Sequence, residues 1–139
     1  MNVWLFFFLF IVVSIKDTEV PVSLECMRIW TVFEKLGKNS EFKKVYKFGK
    51  SKANRYLVMI LVERESGPNR YGFSVSKKVG NSVVRHRITR LLRESVRTND
   101  ATLKKSYNVV IVARNTAKCR SFQEIESAFL HLCRLHGIM

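Results

Sequence analysis

The residues best suited to chemistry lie in one stretch, 76–94, which reads SKKVGNSVVRHRITRLLRE. Its cations are Lys77, Lys78, Arg85, Arg87, Arg90 and Arg93. No acidic residue lies between positions 77 and 93. Arginine suits phosphate because its planar guanidinium donates two hydrogen bonds together. A helix that begins within this stretch adds free N–H groups and a partial positive charge. The stretch therefore predicts a surface that binds phosphates.

A helix capped by Asn81 or Ser82 carries the arginines of this stretch, while Lys77 and Lys78 lie in the loop before it. At 100° per residue the helix also has an apolar stripe, formed by Val84, Ile88, Leu91, Leu92 and Ser95. We expect Arg90, Arg93, Arg97 and His86 to point away from the stripe and Arg85 and Arg87 to lie on its two flanks, so that all five arginines reach outward. The alternative is an ordinary solvated charged face, which predicts mixed signs and not an acid-free run. The spacing does not distinguish RNA from DNA.

A second group combines aromatic and basic side chains. Phe42 and Tyr46 are one helical turn apart and precede Asn54 and Arg55. Aromatic rings beside cations stack on unpaired bases, each stack contributing about 1–3 kcal/mol. The alternative, that both rings pack on a sheet, fits the pattern equally well, and the sequence leaves the two open.

Catalysis by protein side chains has little support. His131 and His136 are five positions apart and do not share a helix face with each other, and His86 is remote in sequence. No Ser-His-Asp arrangement, Gly-rich phosphate loop or metal-ligand cluster accompanies them. Glu63 and Glu65 fall in or near a predicted turn, where a solvated role is expected. The sequence predicts no catalytic residue and no metal ligand.

Charge and cysteine content restrict the class of protein. The 139 residues hold 25 Lys and Arg against 11 Asp and Glu, a net charge of +14 that a polyanion would neutralise. The apolar stripes are needed for a core, which disfavours binding to a membrane surface. Cys26, Cys119 and Cys133 are odd in number and lack a CxxC pair, so neither disulfides nor zinc is indicated. A nucleic-acid-binding protein of the reducing cytoplasm is predicted.

Residues 1–26 differ from the rest of the chain. Val3 to Ile15 is apolar except for Ser14, yet it is shorter than the roughly 20 residues of a spanning helix and lacks the features of a secretory signal. We expect an extraneous or disordered apolar segment and favour translation from Met27. Without residues 1–26 the net charge would be about +16, a more consistently basic product.

Residues 27–139 are expected to form a single α/β (α+β) domain in the order α-β-β-α-β-α. Strands at 55–63 and 70–76 are predicted to pair as an antiparallel hairpin around the turn at 66–69. The other predicted elements are a helix from Asn39 or Ser40 to about Lys47 with Gly49 ending it, a helix from Asn81 or Ser82 to about Arg97, a strand at 107–113, and a helix after Ser121 with Glu124 completing a capping box.

At 74–94 the chain closely resembles the signature region of the bacterial ribonuclease P protein subunit. The resemblance extends from about Leu36 to the C-terminus and includes EFKKVYKFGKSKANRY before the signature and YNVVIVAR after it. Residues 1–26 have no counterpart in that family. The fold implied by the resemblance is a mixed sheet with a left-handed crossover through the arginine helix, like the second domain of ribosomal protein S5.

The resemblance also implies a function. A protein of this family joins a catalytic RNA, helps it bind precursor tRNA, and supports the endonucleolytic hydrolysis that removes the 5′ leader. The RNA subunit and its Mg²⁺ ions carry the chemistry, in a cytoplasmic ribonucleoprotein without an obligate protein partner or a membrane.

Site residues are implied by position. The RNA-facing motif would comprise Lys77, Lys78, Gly80, Asn81, Arg85, His86, Arg87, Arg90 and Arg93. The cleft for the single-stranded leader would comprise Phe42, Tyr46, Asn54, Arg55, Met59 and Ser74. Two positions depart from the family pattern: His86 replaces a common Asn and Thr89 replaces a frequent Lys.

Two other functions remain open on the sequence. A ribosomal or other structural RNA-binding protein would share the basic surface but would not promote turnover of precursor tRNA. A membrane-anchored or secreted cationic protein rests on residues 1–26 alone and requires translation from Met1.

Overall fold

A computed structural model describes residues 34–139, so the prediction for residues 1–26 lies outside the described part of the chain. Three helices and five strands follow one another in this part. They are β1 (Glu34–Lys35), α1 (Asn39–Phe48), β2 (Lys50–Ala53), β3 (Leu57–Glu63), β4 (Arg70–Val75), α2 (Ser82–Asn99), β5 (Tyr107–Ala113) and α3 (Phe122–His136). Short 3₁₀ turns at Asp100–Thr102 and Asn115–Ala117 flank β5. A single α/β domain with a mixed sheet is thereby confirmed.

The caps of α2 and α3 are those that the sequence predicts. Asn81 accepts a hydrogen bond from the Val84 N–H, and Ser121 and Glu124 form the capping box of α3. The cap of α1 differs, because Lys38 is the N-cap residue and Asn39 and Ser40 already lie in the helix. There the Glu41 carboxylate accepts from the N–H groups of Gly37 and Lys38, both at 3.2 Å. These bonds lower the pKa of Glu41.

The five strands lie in the order β1-β4-β5-β3-β2. β4 is parallel to β1 and β5, whereas β3 is antiparallel to β5 and β2. The predicted hairpin of β3 and β4 is therefore wrong, because β5 lies between them. Both strands pair with β5 along most of their length, from Leu57↔Ala113 to Glu63↔Tyr107 on one side and from Arg70↔Asn108 to Val75↔Ala113 on the other.

Buried Asn69 explains why the β3–β4 connection passes β5 instead of closing a hairpin. Its Oδ1 accepts from the Tyr107 N–H at 3.0 Å, and its Nδ2 donates to the carboxylate of Asp100 and the carbonyl of Lys104. Asp100, almost fully buried, also accepts from the Tyr71 hydroxyl at 2.7 Å and pairs with Lys105 at 2.6 Å. The loop is thus held against the start of β5 by hydrogen bonds that no local pattern reveals.

The sheet buries both of its faces. The larger core, between the sheet and helices α2 and α3, takes the odd-numbered side chains of β3 and β5, among them Leu57, Met59 and Ile111. The smaller core lies under α1 and takes the even-numbered ones, such as Ile60 and Val110. Strands covered on both sides read as continuous apolar runs, which is why β3 and β5 were recognisable.

The β4–α2–β5 crossover is left-handed. In a strand of L-residues, the face of a side chain fixes the side to which that residue's N–H and C=O point. The Tyr71 side chain faces α2 and α3, and its C=O accepts from the N–H of Leu36, the residue directly after β1, at 2.9 Å. We view the sheet from the side of α2 with β4 running upward. In this view the Tyr71 C=O points to the right, so β1 lies to the right of β4 and β5 lies to its left. The chain therefore moves from β4 through α2, in front of the sheet, to a strand on the left, which is a left-handed crossover. This is the hand that the family resemblance implies, against the usual preference.

Two edge strands were not predicted. Residues 50–53, in which the sequence predicts no element, form β2 with all four side chains exposed, and β1 has only two residues. Short, lysine-bearing strands are typical of sheet edges, where charge discourages pairing with other chains.

Within residues 34–139 no helix is long and apolar enough to cross a membrane. Cys119 and Cys133 are free thiols, exposed and buried respectively.

A first prediction concerns the contact between α1 and the sheet. A Cβ built on Gly72 would lie 2.5 Å from Cζ of Phe42, so Gly72→Ala should force the helix away and lower the free energy of unfolding by about 1–3 kcal/mol. Gly37→Ala is the matched control, since nothing lies within 4 Å of its added Cβ. Urea denaturation of both variants measures the difference. Equal stability of the two would contradict the packing described.

A second prediction concerns pH. Burial lowers the pKa of His136 below its usual 6.5, and the cations Lys52 and Lys50 lower it further, outweighing the Met59 carbonyl that raises it. Between the lowered pKa and 6.5 the unfolded chain binds more protons, so stability should be full above pH 6.5 and fall as the pH decreases.

Denaturation between pH 7.5 and 5.5 tests this expectation. The decrease should be smaller in His136→Gln and unchanged in His131→Gln, which alters an exposed histidine of the same helix. A His136→Gln variant that keeps the full decrease would show that another group is responsible.

Candidate nucleic-acid interface

The acid-free cations form an exposed surface on α2 and the loop before it. Ile88, Leu92 and Val96 anchor α2 to the larger core, and the opposite side faces solvent. We call the exposed cations of this stretch the arginine face: Lys77, Lys78, Arg87, Arg90 and Arg93. Within residues 34–139, none of the five forms an ion pair. Their charge is thus available to a ligand.

Arg85 and Arg97 differ from the prediction that all five arginines point outward. Arg85 is half-buried, and its Nε is buried without a hydrogen-bond partner among the described residues. The Arg97 side chain is only 9% exposed and pairs with Glu94, so its placement on the outward face was wrong. The i, i+3 spacing of Glu94 and Arg97 on one helix indicates such a pair, and the sequence reasoning missed it.

The N-terminus of α2 adds N–H groups beside Lys77 and Lys78. Asn81 caps only one of them, the Val84 N–H, at 3.0 Å. Gly80 permits this tight entry, because a Cβ there would lie 2.9 Å from Cγ1 of Val84. His86 is exposed on α2, and the Thr89 hydroxyl donates to the Arg85 carbonyl at 2.9 Å. Thr89 therefore turns its polar group back to the helix and adds no charge to the surface.

The opposite face of the sheet contains an open groove. α1 crosses the strands over the row Ser51, Ile60, Val110 and Gly72, which the strand register places side by side. The adjacent row is left partly exposed. It runs across four strands and consists of Ala53, Val58, Val112 and Ser74. We call this row the groove floor.

Phe42 and Tyr46 form the wall of the groove. The Glu41 side chain lies on the side of α1 away from the groove floor. There it pairs with Arg70, at the start of β4, at 2.7 Å. Helix geometry places Tyr46 about 140° from Glu41, on the side of the groove floor, together with Phe42 one turn before it. Phe42 packs into the smaller core over Gly72, whereas Tyr46 is 48% exposed. Phe42 is thus mainly a packing residue, and Tyr46 is the accessible ring.

The remaining residues of the predicted cleft lie elsewhere. Met59 is fully buried in the core under α2 and α3, so its assignment to the cleft was wrong. Asn54 locks the β2–β3 turn, since its Nδ2 donates to the Ala128 carbonyl at 2.8 Å and its Oδ1 accepts from Tyr56 and Leu57. Arg55 lies next to α3, beside the ring of Tyr56. Phe42, Tyr46 and Ser74 are the three that the structure brings together.

Sequence reasoning missed most of the groove floor. Val58 and Val112 look like any core residue, because both faces of their strands are apolar. The signal that they share is an even position in the strand, which puts them on the α1 face. The position at which α1 crosses the sheet determines whether the Gly72 row or the groove floor stays open. Gly72 fixes this position, because the ring of Phe42 packs directly on it.

Charge is distributed unevenly between the two ends of the sheet. Glu34 and Glu41 pair with Arg70, and Asp100 pairs with Lys105, all where β4 and β5 begin. The other end, where β4 and β5 stop, carries the first residues of the arginine face and the loop 114–120. Within residues 34–139 no cluster of three or more His, Cys, Asp or Glu side chains could hold a metal ion.

A cationic helix packed on a five-stranded mixed sheet places the chain among small α/β proteins, and comparisons with known proteins identify the family. The family model of ribonuclease P matches residues 31–136. The ribonuclease P protein component of Lachnoclostridium phytofermentans is 54% identical over 106 residues, which are 76% of this chain and 91% of that protein. The chain belongs to the ribonuclease P protein component family.

Further relatives agree in sequence and in fold. The ribonuclease P protein component of Alkaliphilus oremlandii is 51% identical over 72% of this chain and 88% of its own. The solved RNase P protein of Staphylococcus aureus has a TM-score of 0.70 at 31% identity, covering 75% of this chain and 95% of that one. For the Thermotoga maritima protein the TM-score is 0.68 at 25% identity, with 73% and 96% covered.

Proposed function

We propose that this chain is the protein subunit of ribonuclease P, which joins a catalytic RNA and assists removal of the 5′ leader from precursor tRNA. The observation that carries the proposal is the acid-free arginine face, which begins at the end of β4 directly after the groove residue Ser74. One short loop therefore connects a surface for phosphates with a groove for a flexible strand.

The arginine face would bind the catalytic RNA. Folded RNA presents closely spaced phosphates, and Arg90 and Arg93 reach them from solvent without breaking any ion pair of the described residues. Free N–H groups at the start of α2 supply further donors next to Lys77 and Lys78. Contacts of this kind read shape and backbone, which fits a large structured RNA.

The groove would bind the single-stranded leader. Its floor offers the small or apolar side chains of Ala53, Val58 and Val112, with the Ser74 hydroxyl at one end. Such a floor contacts the faces and edges of bases without a fixed pattern of donors, so it tolerates many leader sequences. Tyr46 provides an accessible ring for stacking.

The hydrolysis itself would belong to the RNA and to Mg²⁺ ions that the RNA binds. No step of the proposal uses a metal ion on the protein, and the described residues offer no cluster for one. The protein's part is to bind and orient the two RNAs in the bacterial cytoplasm.

Reconstitution tests this function. With the catalytic RNA of the same cell, the protein should lower the Mg²⁺ concentration needed to cleave precursor tRNA, because its cations replace part of the ion atmosphere. Arg90→Ala should raise that concentration and reduce the salt slope of binding to the catalytic RNA by about 0.7–0.9. Lys104→Ala, an exposed cation at the other end of the sheet, is the control.

The opposite result would be equally informative. If the protein binds the RNA but leaves its Mg²⁺ requirement unchanged, a ribosomal or other structural RNA-binding role is favoured. If Arg90→Ala and Lys104→Ala behave alike, the arginine face is not the contact surface.

The groove is tested with Tyr46→Ala. Loss of one stacked base should reduce the preference for precursor over mature tRNA by about 5- to 100-fold while the fold is retained. Phe48→Ala is the control, since Phe48 is 69% exposed on the same helix but lies about 200° around it from Tyr46. Binding assays with both tRNA forms give the ratio. An equal ratio in wild type and Tyr46→Ala would exclude stacking at this ring.

A further inference from the structure

A second concave surface lies on the α3 side of the sheet. The groove beside α1 lies on the opposite side. The second surface is a cavity of about 540 Å³ between the β2–β3 turn and the first half of α3. Tyr56 and Ala128 line it together with four polar side chains of α3, namely Gln123, Glu124, Ser127 and His131. Asn54 and Arg55 of the predicted leader cleft also line it. The proposed function above does not use this cavity.

Two guanidinium groups are held at the ring of Tyr56. The Cζ atoms of Arg55 and Arg120 lie 5.6 Å and 5.3 Å from the ring centroid. Cation–π contacts of this kind orient a guanidinium and restrict its rotamers, while its N–H edge stays free to donate. Arg120 is steadied further by the bond from its Nε to the Thr116 carbonyl at 3.3 Å. Two oriented arginines on one ring form a pair of phosphate donors.

This pair adjoins the arginine face. Arg87 of α2 donates from its Nη2 to the backbone carbonyl of Arg120 at 3.0 Å. Arg114 extends the same cationic surface, because its Nη1 donates to the Asn54 carbonyl at 2.8 Å next to Arg55. A polyanion that lies on α2 and passes Arg87 therefore reaches Arg120 without leaving cationic surface.

We infer that the contact with the catalytic RNA continues from α2 to this cavity, where Arg55 in its lining and Arg120 at the neighbouring ring of Tyr56 bind backbone phosphates and one nucleotide lies between Tyr56 and α3. We call it the α3 site. The inference rests on the proposed function, since it assigns a second contact to the same RNA. The cavity opens on the same side of the sheet as α2, whereas the groove for the leader is on the opposite side, and this favours the catalytic RNA over the leader.

Glu124 limits the strength of the site and offers a test in the direction of gain. Its carboxylate lies 3.5 Å from Nη1 of Arg120 and is held there by the Ser121 N–H, a bond that lowers its pKa. A phosphate must compete with this carboxylate. Glu124→Gln removes the charge but keeps a side chain that completes the capping box. RNA affinity should therefore rise in this variant.

The first experiment measures binding of the full chain to the catalytic RNA across a salt series. Arg55→Ala and Arg120→Ala should each reduce the slope of log affinity against log salt by about 0.7–0.9, and the double variant by about twice that. Arg55→Lys and Arg120→Lys keep the charge and serve as folding-neutral companions, and they should retain most of the slope. Lys104→Ala at the other end of the sheet should leave it unchanged.

The second experiment uses Cys119, an exposed thiol adjacent to Arg120, as an attachment point. In a Cys26→Ser chain, an azidophenacyl photocrosslinker on Cys119 should join the catalytic RNA in the complex. The same reagent on Lys104→Cys, in a chain that carries both Cys26→Ser and Cys119→Ser, should not join this RNA. Precursor tRNA with a labelled leader is the second target, and crosslinks to the leader instead would overturn the assignment to the catalytic RNA.

The outcomes separate this inference from the proposed function. If Arg55→Ala, Arg120→Ala and Glu124→Gln all bind like wild type while Arg90→Ala is weakened, the α3 site is refuted and the proposed function stands. If Arg90→Ala also binds like wild type, the proposed function fails with it. Loss of affinity in the two alanine variants, a gain in Glu124→Gln and a crosslink from Cys119 together establish the site.

Discussion

The contact between the ring of Phe42 and the bare backbone of Gly72 decides how the rest of the structure can be used. Only a residue without Cβ lets the ring approach this closely, and the ring in turn fixes the position at which α1 crosses the sheet. The pair Glu41–Arg70 holds the helix from its other side. The helix α1 covers only one of the rows of side chains that run across the strands. When it is fixed over the row that contains Gly72, the adjacent row, the groove floor, stays open. The groove floor is thus a consequence of packing at one glycine and not of any feature of its own residues.

The central position of β5 has a comparable effect on charge. Because β5 separates β3 from β4, the chain must pass beneath its start, and the buried group of Asn69, Tyr71, Asp100 and Lys105 secures this passage. A buried carboxylate is tolerated only when it is paired and hydrogen-bonded, so this end of the sheet concentrates acids together with their partners. The other end, where β4 and β5 stop and α2 and α3 begin, contains few acids. The segregation of charge that a polyanion would exploit follows from where the fold needs its buried network.

Much of this arrangement could be predicted from the sequence, and the reason for each failure is specific. The three helices and β5 follow from periodicity and caps, which are local, and most of the arginine face follows because it lies on one helix. The neighbours of β3 could not be derived, since pairing with β5 depends on Asn69 bonds to residues about 30 to 40 positions away. Met59 was placed in the cleft because a strand that is apolar on both faces does not reveal which face meets which helix. Arg97 was misplaced because the i, i+3 spacing to Glu94, which indicates an ion pair on the helix, was not considered.

The short loop between β4 and α2 gives the proposed function its geometric basis. Residues 76–81 connect Ser74 at the end of the groove to the capped start of α2, and Gly80 and buried Val79 hold the loop against the protein. Neither surface can therefore move far without the other. A strand lying in the groove would emerge at Lys77 and Lys78 in a fixed direction relative to the RNA that lies on α2. The orientation of one RNA relative to the other would then be set by the folded protein before either binds, which reduces the entropy lost in assembling the complex. Under the proposed function, the protein's contribution to cleavage would be largely positional, supplied by two surfaces that one short loop holds together.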